Sequence, residues 1–217
     1  MVYNKNIEEI NVPIIDVNGR LYSPSAERNC STIVGLILKN IPKYGQALEI
    51  ASGTGQHIIQ LGSQFSNISW QPSDMDKLRI ESIKSWMSEN MNQNIKPPCY
   101  LDATKEGWSV KHPKQNFILV INLLHLISLN QTKILLSEAF KSLAPAGFLM
   151  IYGPFMRNGK LTSEGDINFH KNIRERDINL GYKNDIGLLK FFLKLGFVIF
   201  KIVEMPANNL AFIVKKP

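Results

Sequence analysis

The strongest chemical signal in the sequence is Glu49-Ile-Ala-Ser-Gly-Thr-Gly55, at the junction of a short apolar strand, 46–51, and a helix, 57–65. Glycines at such a junction let the backbone turn sharply and bring its N–H groups close to a ligand at the helix N-terminus. A dinucleotide fingerprint would want a third glycine three residues after Gly55, where this chain has Ile58. An acidic residue four positions before the first glycine, here Glu49, instead fits the pattern of S-adenosylmethionine (SAM) sites. A bare strand-to-helix turn is the competing reading.

Further polar residues fall at the ends of other apolar runs. Asp74 closes Trp70-Gln-Pro-Ser-Asp74, 19 residues after Gly55, where an acid can accept from both hydroxyls of a ribose. It or Asp76 could equally cap the helix that starts at Lys77. Asp102, in Leu101-Asp-Ala-Thr104, could face an adenine amino group or be a solvated loop residue. Asn122-Leu-Leu-His125 leaves the most apolar strand. Asn122 could fix a substrate amide or amine, and His125 could act as a general base or simply pack against the next helix. Tyr152-Gly-Pro-Phe155 and Met205-Pro-Ala-Asn-Asn209 fall on the same rim of the expected sheet, where Tyr152, an exposed Phe155, Asn208 and Asn209 suit a substrate pocket. Turn chemistry explains the Pro and Asn residues almost as well.

The elements that must position these groups alternate. Ser23-Pro24 caps and opens a helix over about 23–39. Strands follow at 46–51, at 68–71 ended by Pro72, at 97–101, at 117–122 and at 147–152. The intervening helices are 57–65, 77–89 and 131–143, the last stopped by Pro145. A helix over 185–195 closed by Gly196 and strands at 197–203 and 210–214 complete the chain. The unbroken apolar run Phe117–Ile121 reads as a central parallel strand covered on both faces. Strands separated by helices argue for a three-layer, Rossmann-like α/β sheet. Only the residues from Glu204 to Asn209 separate the last two strands, too few for a helical crossover, so the final strand must be antiparallel. Between about 155 and 184 lies an insertion carrying Arg157, Lys160, Arg174 and Arg176, read as a lid or as a solvated surface.

Composition bounds the rest. The 217 residues, 44% hydrophobic and 20% charged, suit one full-sized domain with a proper core, residues 1–217. No apolar run approaches the roughly 20 residues of a spanning helix, so no membrane partner is expected. The start, MVYNKNIEEI, has no apolar core of a signal peptide. Cys30 and Cys99 form neither a disulfide framework nor a metal cluster, and a cytoplasmic setting is the simplest reading. His57 and the cysteines have no metal-ligand spacing, so no metal is expected. The net charge of +7 is uneven: residues 1–153 carry 14 basic and 12 acidic groups, residues 154–217 carry 11 and 6. That excess is a modest argument for an anionic acceptor.

The blocks Ser23-Pro-Ser-Ala-Glu-Arg-Asn29, Glu49–His57, Trp70–Asp74, Tyr152–Phe155, Arg174-Glu-Arg-Asp177 and Met205–Asn209 together resemble the methyltransferase-like protein 26 family, a group of unknown function similar to class I SAM-dependent methyltransferases. The resemblance covers about Tyr22 to Val214. It implies a seven-stranded sheet in the order 3-2-1-4-5-7-6. It also implies a cofactor site of Glu49, Ala51, Gly53, Gly55, Asp74 and Asp102, capped by Glu27, Arg28 and Asn29; Ser52 and Asn122 join the expected cofactor set and Tyr22 the expected substrate side. Departures fall in the insertion: His170 where the family usually has Asp, Leu180 where Trp is common, and Lys183-Asn184 where Arg-Asp is common.

The expectation is therefore a SAM-dependent methyltransferase acting on a small molecule, with His125, Asn122 and Tyr152 as candidate catalytic groups. A non-catalytic SAM- or nucleoside-binding protein is the alternative, since no Asn-Pro-Pro-Tyr or Asp-Pro-Pro-Tyr motif follows the fourth strand. An RNA or protein methyltransferase is a third reading. A small acceptor is favoured over nucleic acid because no added RNA-binding domain fits in this length.

Overall fold

The computed structural model describes residues 14–16, 19–90 and 92–217. The N-terminal stretch read above as lacking a signal peptide lies outside them. In chain order the elements are β1 (Ile14–Ile15), β2 (Leu21–Tyr22), α1 (Pro24–Asn40), β3 (Gly45–Ile50), α2 (Gln56–Gln64), β4 (Ile68–Asp74), α3 (Lys77–Ser88) and β5 (Cys99–Tyr100). There follow α4 (Trp108–Lys111), β6 (Gln115–Ile121), a 3-10 turn (Leu124–Leu126), α5 (Leu129–Ser142) and β7 (Leu143–Met156). The last elements are α6 (Glu164–Arg176), β8 (Lys183–Asn184), α7 (Asp185–Leu195), β9 (Val198–Met205) and β10 (Asn209–Lys215). By contacts they fall into two compact units, one running to Gly45 and resuming at Ser52–Tyr100, the other Gln46–Ala51 with Leu101–Pro217.

In the first unit α1 starts where the sequence says it should. Ser23 Oγ accepts from Ala26 N, and Pro24 fills the first helical position, where no N–H is needed. Ile33 and Ile37, one turn apart, bury one face, and α1 packs on α2. Ser82 ties three segments with one hydroxyl: it accepts from Leu21 N at 2.8 Å and donates to Thr54 O at 2.7 Å. β4 pairs in parallel with β5. β4 does not end at Pro72 but runs on to Asp74. A proline φ suits an extended chain and costs only one donor, so Pro72 weakens the ladder locally without stopping the strand.

In the second unit the strand order is β3-β6-β7-β10-β9, with β8 pairing β7 off that path. The β3–β6 and β6–β7 pairs are parallel, and β10 is antiparallel to both neighbours. Phe117–Ile121 is buried throughout, as a strand covered on both faces requires. β7 begins at Leu143 and passes through both Pro145 and Pro154, where the sequence suggested only 147–152. The register with β6 shifts between Gln115 and Phe117, opposite the stretch holding Pro145, so the irregularity absorbs the proline. The expected seven-strand order 3-2-1-4-5-7-6 needs correcting: with β4 and β5 the sheet strands number eight, and β8 is the addition. A strand of two residues inside a polar insertion has no hydrophobic period by which to be read.

The core of this unit joins Leu48, Ile118, Val120, Leu149 and Phe212 to Leu135 and Leu136 of α5 and Phe192 of α7. α5 starts with a full capping box, Ser128 with Gln131. Buried Glu138 on α5 accepts from Gly107 N, Ser109 N and Ser109 Oγ, and pairs with Lys141 at 2.7 Å. Burial alone would raise its pKa, but these bonds outweigh it and bring the value to about 2. Glu138→Ala strips the start of α4 of its acceptor. It should lower stability in urea denaturation by about 2–3 kcal/mol, with Lys141→Ala costing far less.

Candidate functional site

In the first unit the glycine loop is an over-determined turn. Ser52 N donates to Ser73 O at 2.8 Å, and Ser73 N returns a bond to Ser52 Oγ at 3.1 Å. Gly53 (φ 61°) donates its N–H to Asp74 Oδ2 at 2.9 Å, and Asp76 N donates to Asp74 Oδ1 at 3.0 Å. Asp74, 1% exposed, is thus the clamp on the loop, while Asp76 caps α3 by accepting from Leu78 N. Each Asp74 oxygen takes one bond within the chain and keeps a lone pair. Gly55 (φ 97°) precedes α2, and a Cβ there would lie 3.1 Å from Ile83 Cα, so any other residue is strained and crowded. Among the described residues no side chain caps α2, whose N-cap is Gly55 itself. This arrangement suits a nucleoside-type group: an uncapped helix start beside a buried carboxylate.

The residues expected to cap the pocket behave differently from one another. Asn29 Oδ1 accepts from His57 Nε2 at 2.8 Å, and Glu27 accepts from Gln56 Nε2 at 3.4 Å. Both therefore brace the start of α2. Arg28 is exposed and, among the described residues, donates to Ser25 Oγ, and Tyr22 is half-buried on β2. The sequence reading missed Met75, 57% exposed immediately after Asp74, and Arg79, whose guanidinium lies 3.9 Å from Asp74.

In the second unit Glu49 is buried on β3, and Ala51 (φ 56°) turns left-handed at its end. Asp102 closes a local turn, its Oδ1 accepting from Thr104 N and Oγ1. Asn122 (φ 52°) ends β6 and donates its N–H to Tyr152 O at 2.8 Å, so these two candidates do meet. Phe155, expected as an exposed aromatic, is instead 1% exposed and packs edge-on against Phe212, centroids 4.9 Å apart. Asn209 closes its own turn onto Pro206 O and Ala207 O. Asn208, exposed, donates to Asp166 Oδ2 at 3.1 Å.

That last bond leads to a cluster the sequence did not reveal. Asp166 on α6 also accepts from Thr162 Oγ1, Ser163 Oγ and Tyr182 Oη, at 2.6, 2.8 and 3.0 Å. Tyr182 and Phe169 pack their rings against His125, at 6.3 and 5.7 Å. Gly181 N donates to His125 O, and Lys183 Nζ donates to Ile127 O and Gly181 O. His125, Asn208 and the insertion are thereby joined through Tyr182 and Asp166. Among the described residues no group of His, Cys, Asp and Glu could hold a metal ion, and no helix is long and apolar enough to cross a membrane.

Residues 20–216 match the model of a family described as protein of unknown function (DUF938), and the chain belongs to that family. The fold is that of methyltransferases. An O-methyltransferase family protein from Burkholderia thailandensis superposes with a TM-score of 0.73 at 11% identity, over 88% of this chain and 56% of that one. Human N-acetylserotonin methyltransferase in complex with SAM gives 0.71 at 12% identity, over 88% and 52%. A Bacillus halodurans protein provisionally described as a methyltransferase gives 0.66 at 12% identity, over 86% and 99%. The chain spans about half the length of the first two.

The histidines in these clusters are neutral. Burial lowers the His57 pKa to about 4. Burial, and then the charge of Lys183, lower that of His125 to about 3. With Asn29 Oδ1 as acceptor, His57 carries its proton on Nε2. Both groups bind protons more readily unfolded, near 6.5, so their contribution to stability is whole above that pH and is lost as pH falls toward 4 and then 3. The melting midpoint should fall steeply between pH 6.5 and 4, each histidine contributing up to about 1.4 kcal/mol per pH unit. His57→Gln should flatten that slope, and an unchanged slope by calorimetry would refute the assignment.

Proposed function

We propose that this DUF938 protein binds SAM and transfers its methyl group to a small-molecule acceptor. The observation that carries the reading lies in the first unit: the buried Asp74 carboxylate clamps the Ser52–Gly55 loop and leaves the N-terminus of α2 without a side-chain cap. Asp74 would accept the ribose hydroxyls, Glu49, Ala51, Ser52, Gly53 and Gly55 would form the cofactor loop, and Asp102 and Asn122 would complete the set. The methyltransferase fold of the chain and the SAM in the human relative's structure support it, as does the resemblance to the methyltransferase-like protein 26 family.

When bound, SAM supplies a sulfonium methyl carbon that an acceptor lone pair attacks as the carbon–sulfur bond breaks. Such an in-line displacement asks the protein chiefly for alignment and exclusion of water. Asn122 and Tyr152, fixed to one another through the backbone, would orient the acceptor. His125 is a weak proton acceptor at a pKa of about 3, so the acceptor best suited is one that arrives already deprotonated, such as a carboxylate. In the second unit Asn208 retains surface to meet it. The same low basicity favours a second reading, a SAM-binding protein without turnover.

Titration calorimetry with SAM tests the cofactor, and release of the demethylated thioether in the presence of aryl carboxylates separates the two readings. Asp74→Ala should weaken SAM binding by at least about tenfold. Unchanged affinity in a variant that melts normally would sink the cofactor assignment.

A further inference from the structure

Behind the Tyr182–Asp166 cluster, between α5, α7 and the segment 179–184, the second unit holds a cavity of about 500 Å3. That volume is in the range of small-molecule sites. None of the residues assigned above to cofactor or acceptor lines it. Its apolar wall comes from Leu136 on α5, Met156 at the end of β7, and Leu188 and Phe191 on α7. Its charged lining is of one sign: Lys133, Arg174, Lys183, Lys190 and Lys194.

The five cations are not equivalent. Lys183 is buried, 8% exposed, and an ammonium has three N–H bonds to place. Two go to Ile127 O at 2.6 Å and Gly181 O at 2.8 Å. The third has no acceptor among the described residues. Burial, and then the neighbouring charge of Arg174, lower the pKa of this amine to about 8, so it is mostly protonated at neutral pH without a counter-ion. The other four likewise form no ion pair with any described acid. A buried cation with an unfilled donor is costly unless something negative meets it.

We propose that this cavity binds an organic carboxylate with an apolar aryl or alkyl body, its anionic end set toward Lys183 and Arg174 and its body lying between α5 and α7. The inference needs no methyl transfer: it follows from the shape and charge of the second unit alone and stands whether or not SAM is a cofactor. A single anionic end is favoured over a polyanion, because only Lys183 among the cations is buried and apolar side chains of α5, β7 and α7 face the same space.

Gly187 offers a clean way to close the cavity. It lines the space from the first turn of α7, and a Cβ there meets only Asn184 Cβ, at 3.9 Å. Gly187→Leu should therefore fill the cavity while improving helix propensity. Calorimetric titration of the full chain with 2-naphthoate should give binding on the order of 0.1 mM. Neutral 2-naphthalenemethanol should bind about tenfold more weakly, Arg174→Gln should weaken 2-naphthoate by about threefold, and Gly187→Leu by at least about tenfold with no fall in melting midpoint. The proposal is overturned by the absence of 2-naphthoate binding up to about 5 mM, by equal affinity for the neutral alcohol, or by undiminished binding in a folded Gly187→Leu variant. Should that variant melt early, the exposed Arg174→Gln decides, and unchanged affinity there overturns the proposal.

Discussion

The Asp166 carboxylate holds the second unit's working end together. Its four donors come from separate stretches: Thr162 and Ser163 before α6, Tyr182 beside β8, and Asn208 in the hairpin between β9 and β10. Burial on its own would raise the pKa, but the four bonds outweigh it and keep the carboxyl below its ordinary range, hence charged. A charge so surrounded is worth keeping only if every donor stays in place, since removing one leaves desolvated polar atoms behind. Once Tyr182 is fixed by its hydroxyl, its ring covers His125, and the next residue, Lys183, is delivered to Ile127 O and into the wall of the cavity. Arg157 adds a second fastening, bonded to Glu204 and to the carbonyls of Asn208 and Asn209.

The first unit uses the same device on a smaller scale. Asp74 takes two backbone N–H groups, and Ser82 bridges β2 to the loop carbonyl of Thr54. In both units a buried acid converts a stretch of irregular backbone into a fixed surface. The consequence differs with what remains unfilled. Around Asp74 each carboxylate oxygen takes one backbone N–H and keeps acceptor capacity, suited to hydroxyl donors. Around Lys183 the open group is one ammonium N–H facing apolar side chains, suited to an amphipathic anion.

Elements encoded by neighbours in the chain were readable in the sequence. Ser23-Pro24, the apolar run 117–121 and the Gly196 stop each describe their own element within a few residues, and the structure places those elements there. Pro72 misled because proline forbids helix interiors firmly but extended chain only mildly, whereas Pro145 stands just past the end of α5, where the sequence put the stop. Phe155 misled because a strand-end aromatic after Gly-Pro reads as exposed, whereas β7 continues past it and buries it against Phe212. Asp166 was illegible for a different reason: its partners Tyr182 and Asn208 lie 16 and 42 residues away, and no local pattern announces a pairing at that distance. The tight turn at Gly53–Gly55 was legible because its two glycines stand close together at the end of an apolar run.

The basic excess of the last third resolves into two populations. Some of those cations serve the fold: Arg157 pairs with Glu204, and Lys216 donates to Phe140 O and Leu143 O beside the Phe140 ring. Others have no anionic partner among the described residues, and Arg174, Lys183, Lys190 and Lys194 converge on one cavity. A nucleic-acid surface spreads exposed cations along a track to follow successive phosphates. Here the positive groups instead surround a concave apolar space, with the most buried of them deepest in hydrogen bonds to backbone carbonyls. Charge arranged in that way discriminates by the apolar body of a ligand as much as by its sign. The excess is thus better matched to a single carboxylate on a hydrophobic frame than to a polyanion.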